Sequence, residues 1–390
     1  MTIPIPAEDP RHVPNRALVD PSAITQNTRA LTGLLEEQTA LMAVVKADGY
    51  GHGMLTAARA ALEGGATWLG AAHPASALAL SRAGLDVSIL TWLYEPHTAR
   101  SILPEALRAG INVAVGSPEM LALVSEAARQ ADRRARVHVK IDTGMGRGGV
   151  RRERLREMGA SILADDFLSL GAAWTHLTSA DDPEDPATDE QVEIFDAACE
   201  ELAEEAGPIP LQHLANSAAL LSRPDLHRDI VRPGIALYGY APVPTDTPLR
   251  PALTLTSRLA MVKDVPAGAS VGYGRTHRTS RDTTLGLVPI GYADGLHRAA
   301  SGGVEVIVRT EAGDRLAPQV GRISMDQIVV DLGPGTTARP GDEVVLFGDA
   351  GGAPTDPVAP TAEDWARAGD TIPYEVLTSV SGRVAREVLA

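Results

Sequence analysis

Between Leu41 and Arg232 the sequence repeatedly switches between two periods, and this alternation limits the possible folds more than any other feature. The short apolar runs LMAVVK (41–46), TWLGAA (67–72), VSILTW (87–92), INVAVG (111–116), RVHVKI (136–141), SLGAAWT (169–175), LQHLAN (211–216) and DIVR (229–232) read as strands. Runs apolar on both faces belong inside a parallel sheet. Most of the intervening segments, such as MLTAARAALEGG, SPEMLALVSEAARQ and DEQVEIFDAACEELAEEAG, carry helical periodicity, and several end in the glycine that suits a helix C-terminus. Strands joined in this way over roughly 200 residues predict an α/β fold, a TIM-type (β/α)8 barrel. A doubly wound sheet is the alternative, but its Gly-rich dinucleotide turn, GxGxxG, does not follow the first strand.

The flanking segments are different in kind. Residues 1–14, rich in proline and charge, read as a flexible arm. RALVD reads as a short strand, and the following segment opens as a helix with Pro21 in its first turn and Asp20 as cap. The barrel is expected over 15–240 and a proline-rich linker over 241–252. Residues 253–390 then read as a mostly antiparallel β domain, with one late helix at TAEDWARAG and a surface loop at 349–361.

A chain of 390 residues exceeds what one core usually supports, in keeping with two domains. With three Phe and four Trp, most of the buried volume is expected to be aliphatic. A net charge of −15 argues against a nucleic-acid surface, while a small anion can still be held by local Arg side chains and backbone N–H groups. The single cysteine, Cys199, excludes an intramolecular disulfide and any multi-cysteine metal site, so no metal is expected. No signal peptide or membrane span is legible, and the sequence reads as a cytoplasmic protein.

The barrel reading brings scattered residues to one mouth, because strand C-termini converge there. Lys46 ends the first strand, Lys140 lies in the fifth, His176 follows the sixth, Asn216 and Ser217 follow the seventh, and Arg232 ends the eighth. Taken singly, each has a plain structural explanation: a snorkelling lysine, a rim histidine, a helix cap, a surface ion pair. Together they suggest more. Ser217 and the segment from Gly234 and Ile235 suit a phosphate, and a desolvated Lys46 suits a Schiff base with an aldehyde. Lysine and phosphate cradle point to pyridoxal 5′-phosphate (PLP). Arg232, unable to give up its proton readily, would leave the pyridine nitrogen unprotonated and the ring a weaker electron sink.

The motifs AVVKADGYGHG (43–53), KIDTGMGR (140–147), ANSAA (215–219), VRPGIALYG (231–239), VGYGRT (271–276), PIGYADG (289–295), VGRISMDQ (320–327) and TIPYE (371–375) occur in this order. On them the chain resembles the alanine racemases, fold-type III PLP enzymes, over nearly its full length. The resemblance implies a homodimer that interconverts L- and D-alanine with two bases, Lys46 and Tyr273, the tyrosine reaching the barrel mouth of the partner subunit, and that supplies D-alanine for peptidoglycan. It also implies phosphate contacts from Tyr50, Ser217, Gly234, Ile235 and Tyr374. Arg147 and the Met325 backbone N–H would meet the substrate carboxylate, and Tyr292 would stand at the entrance. His176 would pack on the cofactor ring and His213 would support Arg232. Lys140 occupies a position that is carbamylated in some relatives.

Ser324, Pro373 and the GRVAR segment depart from the family pattern, and none of these departures removes a catalytic group. Racemisation of another small amino acid such as serine is an alternative, as is a decarboxylase of the same architecture. Against the decarboxylase stand Arg232 and the lack of any cysteine after Cys199. A non-catalytic PLP carrier would resemble the barrel alone.

Overall fold

The computed structural model describes residues 12–348 and 358–390, so most of the arm expected over 1–14 and of the loop expected over 349–361 lies outside the described residues. The chain divides into two compact units. Of the described residues, one holds Ile24–Gly49 and Gly53–Leu249, and the other holds those up to Ala23, Tyr50–His52 and those from Arg250 onward.

The first unit is the predicted barrel. Its eight strands, Ala40–Val44, Trp68–Ala71, Ser88–Thr91, Asn112–Val115, Ala135–Lys140, Leu168–Trp174, Gln212–His213 and Ile230–Val231, lie in chain order, and the last pairs in parallel with the first through Ala40↔Ile230 and Leu41↔Val231. Backbone bonds from Asp229 N–H to the Gln212 carbonyl (3.1 Å) and from Arg232 N–H to the Ala215 carbonyl (2.8 Å) link the last two strands. Successive side chains point to opposite faces. Val113, Val115, Val137 and Val139 therefore pack outward against helical residues such as Leu103, Leu121 and Phe195. Met42, Trp68, Leu90, Ala114, Trp174 and Ile230 form a separate inner cluster. The expectation of an aliphatic core is thus met between strands and helices, while two tryptophans help to fill the lumen.

Cys199 is buried, and burial pushes its thiol up to about 12. Among the described residues, no helix is long and apolar enough to cross a membrane.

The second unit is strand-rich. Its six-stranded sheet runs Gly313–Pro318, Glu305–Thr310, Glu343–Phe347, Leu253–Arg258, Arg16–Val19, Ala385–Val388, and all neighbours are antiparallel except the last pair. The strand read at RALVD therefore pairs here, although the sequence grouped it with residues 15–240. Its partners lie more than two hundred positions downstream, which local pattern does not reveal. Met261–Val265, Thr283–Val288 and Ile328–Asp331 form a second sheet, and Ser270–Val271 pairs with His277–Arg278 as a short hairpin. Beside the expected helix, Ala362–Ala368, stands an unforeseen one, Pro373–Ser379, with proline in its first turn, where no N–H bond is lost.

Candidate active site

Lys46 stands just beyond the strand Ala40–Val44. Removal of its amine from water, with the nearby charge of Arg147, holds its pKa below that of an ordinary lysine. The backbone after it is unusual. Ala47, Asp48, Gly49 and Tyr50 have φ of 51°, 53°, 62° and 53°, a full turn of left-handed backbone in which only one residue is glycine. Each non-glycine residue there costs on the order of 1–3 kcal/mol, so the surroundings must hold the turn. Gly49 N–H bonds the Val45 carbonyl at 3.0 Å and Gly53 N–H the Asp48 carbonyl at 2.8 Å. Asp48 Oδ1 accepts from Met54 N–H at 2.8 Å, at the start of the helix Met54–Glu63.

Arg232 is buried, with three of its five N–H groups engaged. Its Nη2 donates to the carbonyls of Thr175 (2.8 Å) and Leu214 (3.0 Å), and its Nη1 lies 3.1 Å from His213 Nδ1. Burial draws its pKa down to about 9, which still leaves it charged at neutral pH. His213 in turn meets His138, an inward-facing residue of the strand Ala135–Lys140, with Nε2 and Nδ1 3.1 Å apart. The ring of Trp174 lies beside all of this: His213 stacks on it at 5.5 Å, Arg232 Cζ is 5.1 Å from its centroid and Lys140 Nζ is 5.2 Å away.

The mouth is strongly cationic. His176 is held down to about 3 by burial and by the charges of Arg232, Arg147, Lys46 and Lys140. Lys140 is lowered by burial, Arg147 and Arg232, with Asp142 acting against the shift. Asp142 also shapes the exposed loop that carries Arg147, accepting from Gly144 N–H (3.2 Å) and Gly146 N–H (3.0 Å). Beneath it, Gln191 donates to Thr143 Oγ1 (2.8 Å) and to the His176 carbonyl (3.1 Å), while Thr143 and Thr175 share a 2.8 Å bond. Sequence reasoning missed His138, Trp174, Gln191, Thr143 and Thr175. His138 alone carried a signal, as a histidine at an inward position of a strand.

Asn216 uses its side chain to cap the helix Ser217–Ser222, accepting from Ala219 N–H at 3.0 Å. Ser217 Oγ accepts from Gly234 N–H (2.9 Å) and Ala236 N–H (3.3 Å), so the first amide expected to face an anion is here given to the serine. With two bonds accepted, the Ser217 hydroxyl proton is the group positioned to donate onward. Ile235 opens a 3-10 turn, Ile235–Tyr238.

The remaining predicted residues lie in the strand-rich unit. Tyr273 is 68% exposed on a 3-10 turn, Tyr273–Arg275, at the tip of the short hairpin. Tyr292 and Met325 are brought together through their backbones: Tyr292 N–H bonds the Ser324 carbonyl and Ala293 N–H the Met325 carbonyl, both at 3.0 Å. A Cβ on Gly291 would meet both carbonyl oxygens at 2.3 Å, so only glycine permits this approach. Tyr50 is buried with its ring centroid 6.0 Å from that of Tyr374, and burial and Tyr374 raise its pKa.

Lys46, Lys140, Arg147 and Arg232 depress the proton affinity of His176, so bound negative charge would relieve the mouth. These donors fit a phosphorylated ligand together with a substrate carboxylate, and the desolvated Lys46 amine fits an aldehyde.

Comparison with known proteins gives the family. Residues 19–242 match the family described as Alanine racemase, N-terminal domain, and residues 252–388 match Alanine racemase, C-terminal domain. The alanine racemase of Thermobifida fusca is 47% identical over 379 residues, covering 95% of this chain and 96% of that protein. That of Streptomyces coelicolor is 46% identical over 391 residues, covering 95% of each. Among solved structures, the alanine racemase from D-cycloserine-producing Streptomyces lavendulae superposes with a TM-score of 0.90 at 40% identity, covering 98% of both chains. The Bacillus anthracis enzyme with bound L-Ala-P gives 0.85 at 32%, covering 98% of this chain and 96% of that one.

Proposed function

The chain belongs to the alanine racemase family, isomerases of L- and D-alanine, and from that premise we propose that it racemises alanine with PLP by a two-base mechanism in a homodimer. Lys46, Tyr50, Arg147, His176, Asn216, Ser217, Arg232, Gly234, Ile235 and Tyr374 would hold the cofactor. PLP, when bound, supplies a conjugated ring over which negative charge at the substrate Cα can spread.

The residues of the chain do the rest. The depressed pKa of Lys46 keeps a larger share of its Nζ as free amine, able both to hold an aldehyde and to accept a proton. Inverting Cα requires acid–base groups on opposite faces, one removing the proton and one returning it. Lys46 Nζ would serve D-alanine, and Tyr273 Oη of the partner subunit would serve L-alanine. An exposed tyrosine on a hairpin tip is in keeping with a group offered to another chain. Arg232, held in place by three N–H bonds to a histidine and two carbonyls, would face the ring nitrogen without yielding its proton. Arg147 and the Met325 N–H would orient the substrate carboxylate, Tyr292 would line the entrance, and Lys140 and His213 would support Arg147 and Arg232. The protein would act in the cytoplasm, providing D-alanine for the cell wall.

The desolvated lysine within a ring of cations is the observation that carries this reading. Purified protein supplied with PLP should convert L-alanine to D-alanine, and the reverse, faster than serine or other small amino acids. Failure to racemise alanine would overturn it, and a preference for serine would reassign the substrate.

A further inference from the structure

Near the end of the chain, Arg386 lies on the strand Ala385–Val388, in register with Ala17 of Arg16–Val19. Its half-buried guanidinium donates from Nε to the Gly51 carbonyl at 2.8 Å, from Nη2 to the Val380 carbonyl at 2.9 Å and from Nη1 to the Ser381 carbonyl at 3.4 Å. Val380 and Ser381 follow the helix Pro373–Ser379, where chain carbonyls lack helical partners and a cation is favoured. Gly51 directly follows Tyr50, and Tyr374 lies in the first turn of that helix. One planar group therefore ties together the backbones that carry both tyrosines.

There is little slack between the two segments. Gly51 has φ of +85°, and a Cβ there would come 2.7 Å from the Leu377 carbonyl oxygen. The fork geometry of a guanidinium can serve acceptors on both segments at once, whereas an ammonium is a single point donor.

We propose that Arg386 is a positioning residue for anion recognition, which holds Tyr50 and Tyr374 as a pair by joining Gly51 to Val380. This rests on the reading of those tyrosines as contacts of the cofactor phosphate. It makes a prediction that simple structural support does not: loss of Arg386 should weaken binding of a phosphorylated ligand and spare the same ligand without phosphate.

The test uses the full chain, freed of cofactor and titrated with PLP and with pyridoxal, for the parent, Arg386→Gln, Arg386→Lys and Tyr374→Phe. Loss of the fork should raise the Kd for PLP about tenfold, the scale of one good hydrogen bond, and change that for pyridoxal less than about twofold. Should Arg386→Gln fail to fold, the more conservative Arg386→Lys carries the comparison. Equal weakening of both ligands, or unchanged PLP affinity, would overturn the proposal. If Tyr374→Phe does not discriminate between PLP and pyridoxal, the phosphate reading fails and this inference fails with it. If Tyr374→Phe discriminates and the Arg386 variants do not, the inference alone is lost.

Discussion

His213 stands between Arg232 and His138 with each of its ring nitrogens 3.1 Å from a neighbour, and this arrangement determines where the protons are. A guanidinium can only donate, so His213 Nδ1 accepts and its proton sits on Nε2. His138 Nδ1 must then accept in turn, and its own proton sits on Nε2, which is buried without a hydrogen-bond partner beside the ring of Trp68. Both imidazoles are neutral, which agrees with the lowering of both pKa values by burial.

Stability should therefore depend on pH in a defined window. Burial holds His138 at about 3 against an ordinary 6.5, so between those values the unfolded chain binds a proton that the native chain does not. Stability rises with pH across this window and is lost as pH falls through it, at up to about 1.4 kcal/mol per pH unit for each such histidine. Denaturant unfolding followed across the window should show a shallower pH slope for His138→Gln. An unchanged slope would mean that His138 is not buried neutral.

Lys46→Ala should abolish covalent cofactor attachment. Borohydride treatment followed by intact mass measurement should find a cofactor adduct on the parent protein and none on the variant. An adduct retained on the variant would place the attachment elsewhere.

Tyr273→Phe removes one exposed hydroxyl and should change stability by less than about 0.5 kcal/mol. Removal of the α-proton from L-alanine should slow by about 10²–10⁴-fold, the range of a lost general base, while exchange from D-alanine is less affected. Solvent isotope exchange into each enantiomer reads this directly, and equal rates with the parent would reject the role.

If the two bases come from different subunits, mixing inactive Lys46→Ala and Tyr273→Phe proteins should restore part of the activity, because a mixed dimer has one intact site. Subunit exchange is followed independently with differently tagged chains. Exchange without recovered activity would argue for bases within one chain.

Gly291→Ala forces a methyl group onto the Ser324 and Met325 carbonyls. Backbone atoms must move, and destabilisation of about 1–3 kcal/mol is expected on thermal melting. Displacement of Tyr292 and Met325 should also raise the KM for alanine, and an unaltered KM would count against their contact with substrate.

The barrel is legible because strands buried on both faces need continuous apolar runs, and Lys46 stands out as a cation ending one of them. The left-handed backbone at Ala47, Asp48 and Tyr50 is not legible, since of these residue types only Asp is enriched at positive φ. Arg16–Val19 reads as a strand, but its pairing with Leu253–Arg258 and Ala385–Val388 is a long-range choice. Gly313–Pro318 has too little apolar periodicity to declare itself, yet it pairs along its whole length with Glu305–Thr310. Gln191 falls in a strongly acidic helical stretch and resembles any surface glutamine, although it is buried and joins Thr143 to the His176 loop.

The position of Arg16–Val19 within the six-stranded sheet also affects how the gene can be divided. The two family matches meet near the proline-rich stretch, which invites cutting the chain there into two expressible halves. The carboxyl half would then lack the strand that lies between Leu253–Arg258 and Ala385–Val388, and would lack Tyr50–His52 as well. Two naked strand edges would face each other across a gap one strand wide, a template for pairing with foreign chains. The halves are modules of sequence and not of folding, and a split version of this protein would need its amino-terminal strand grafted back onto the carboxyl fragment.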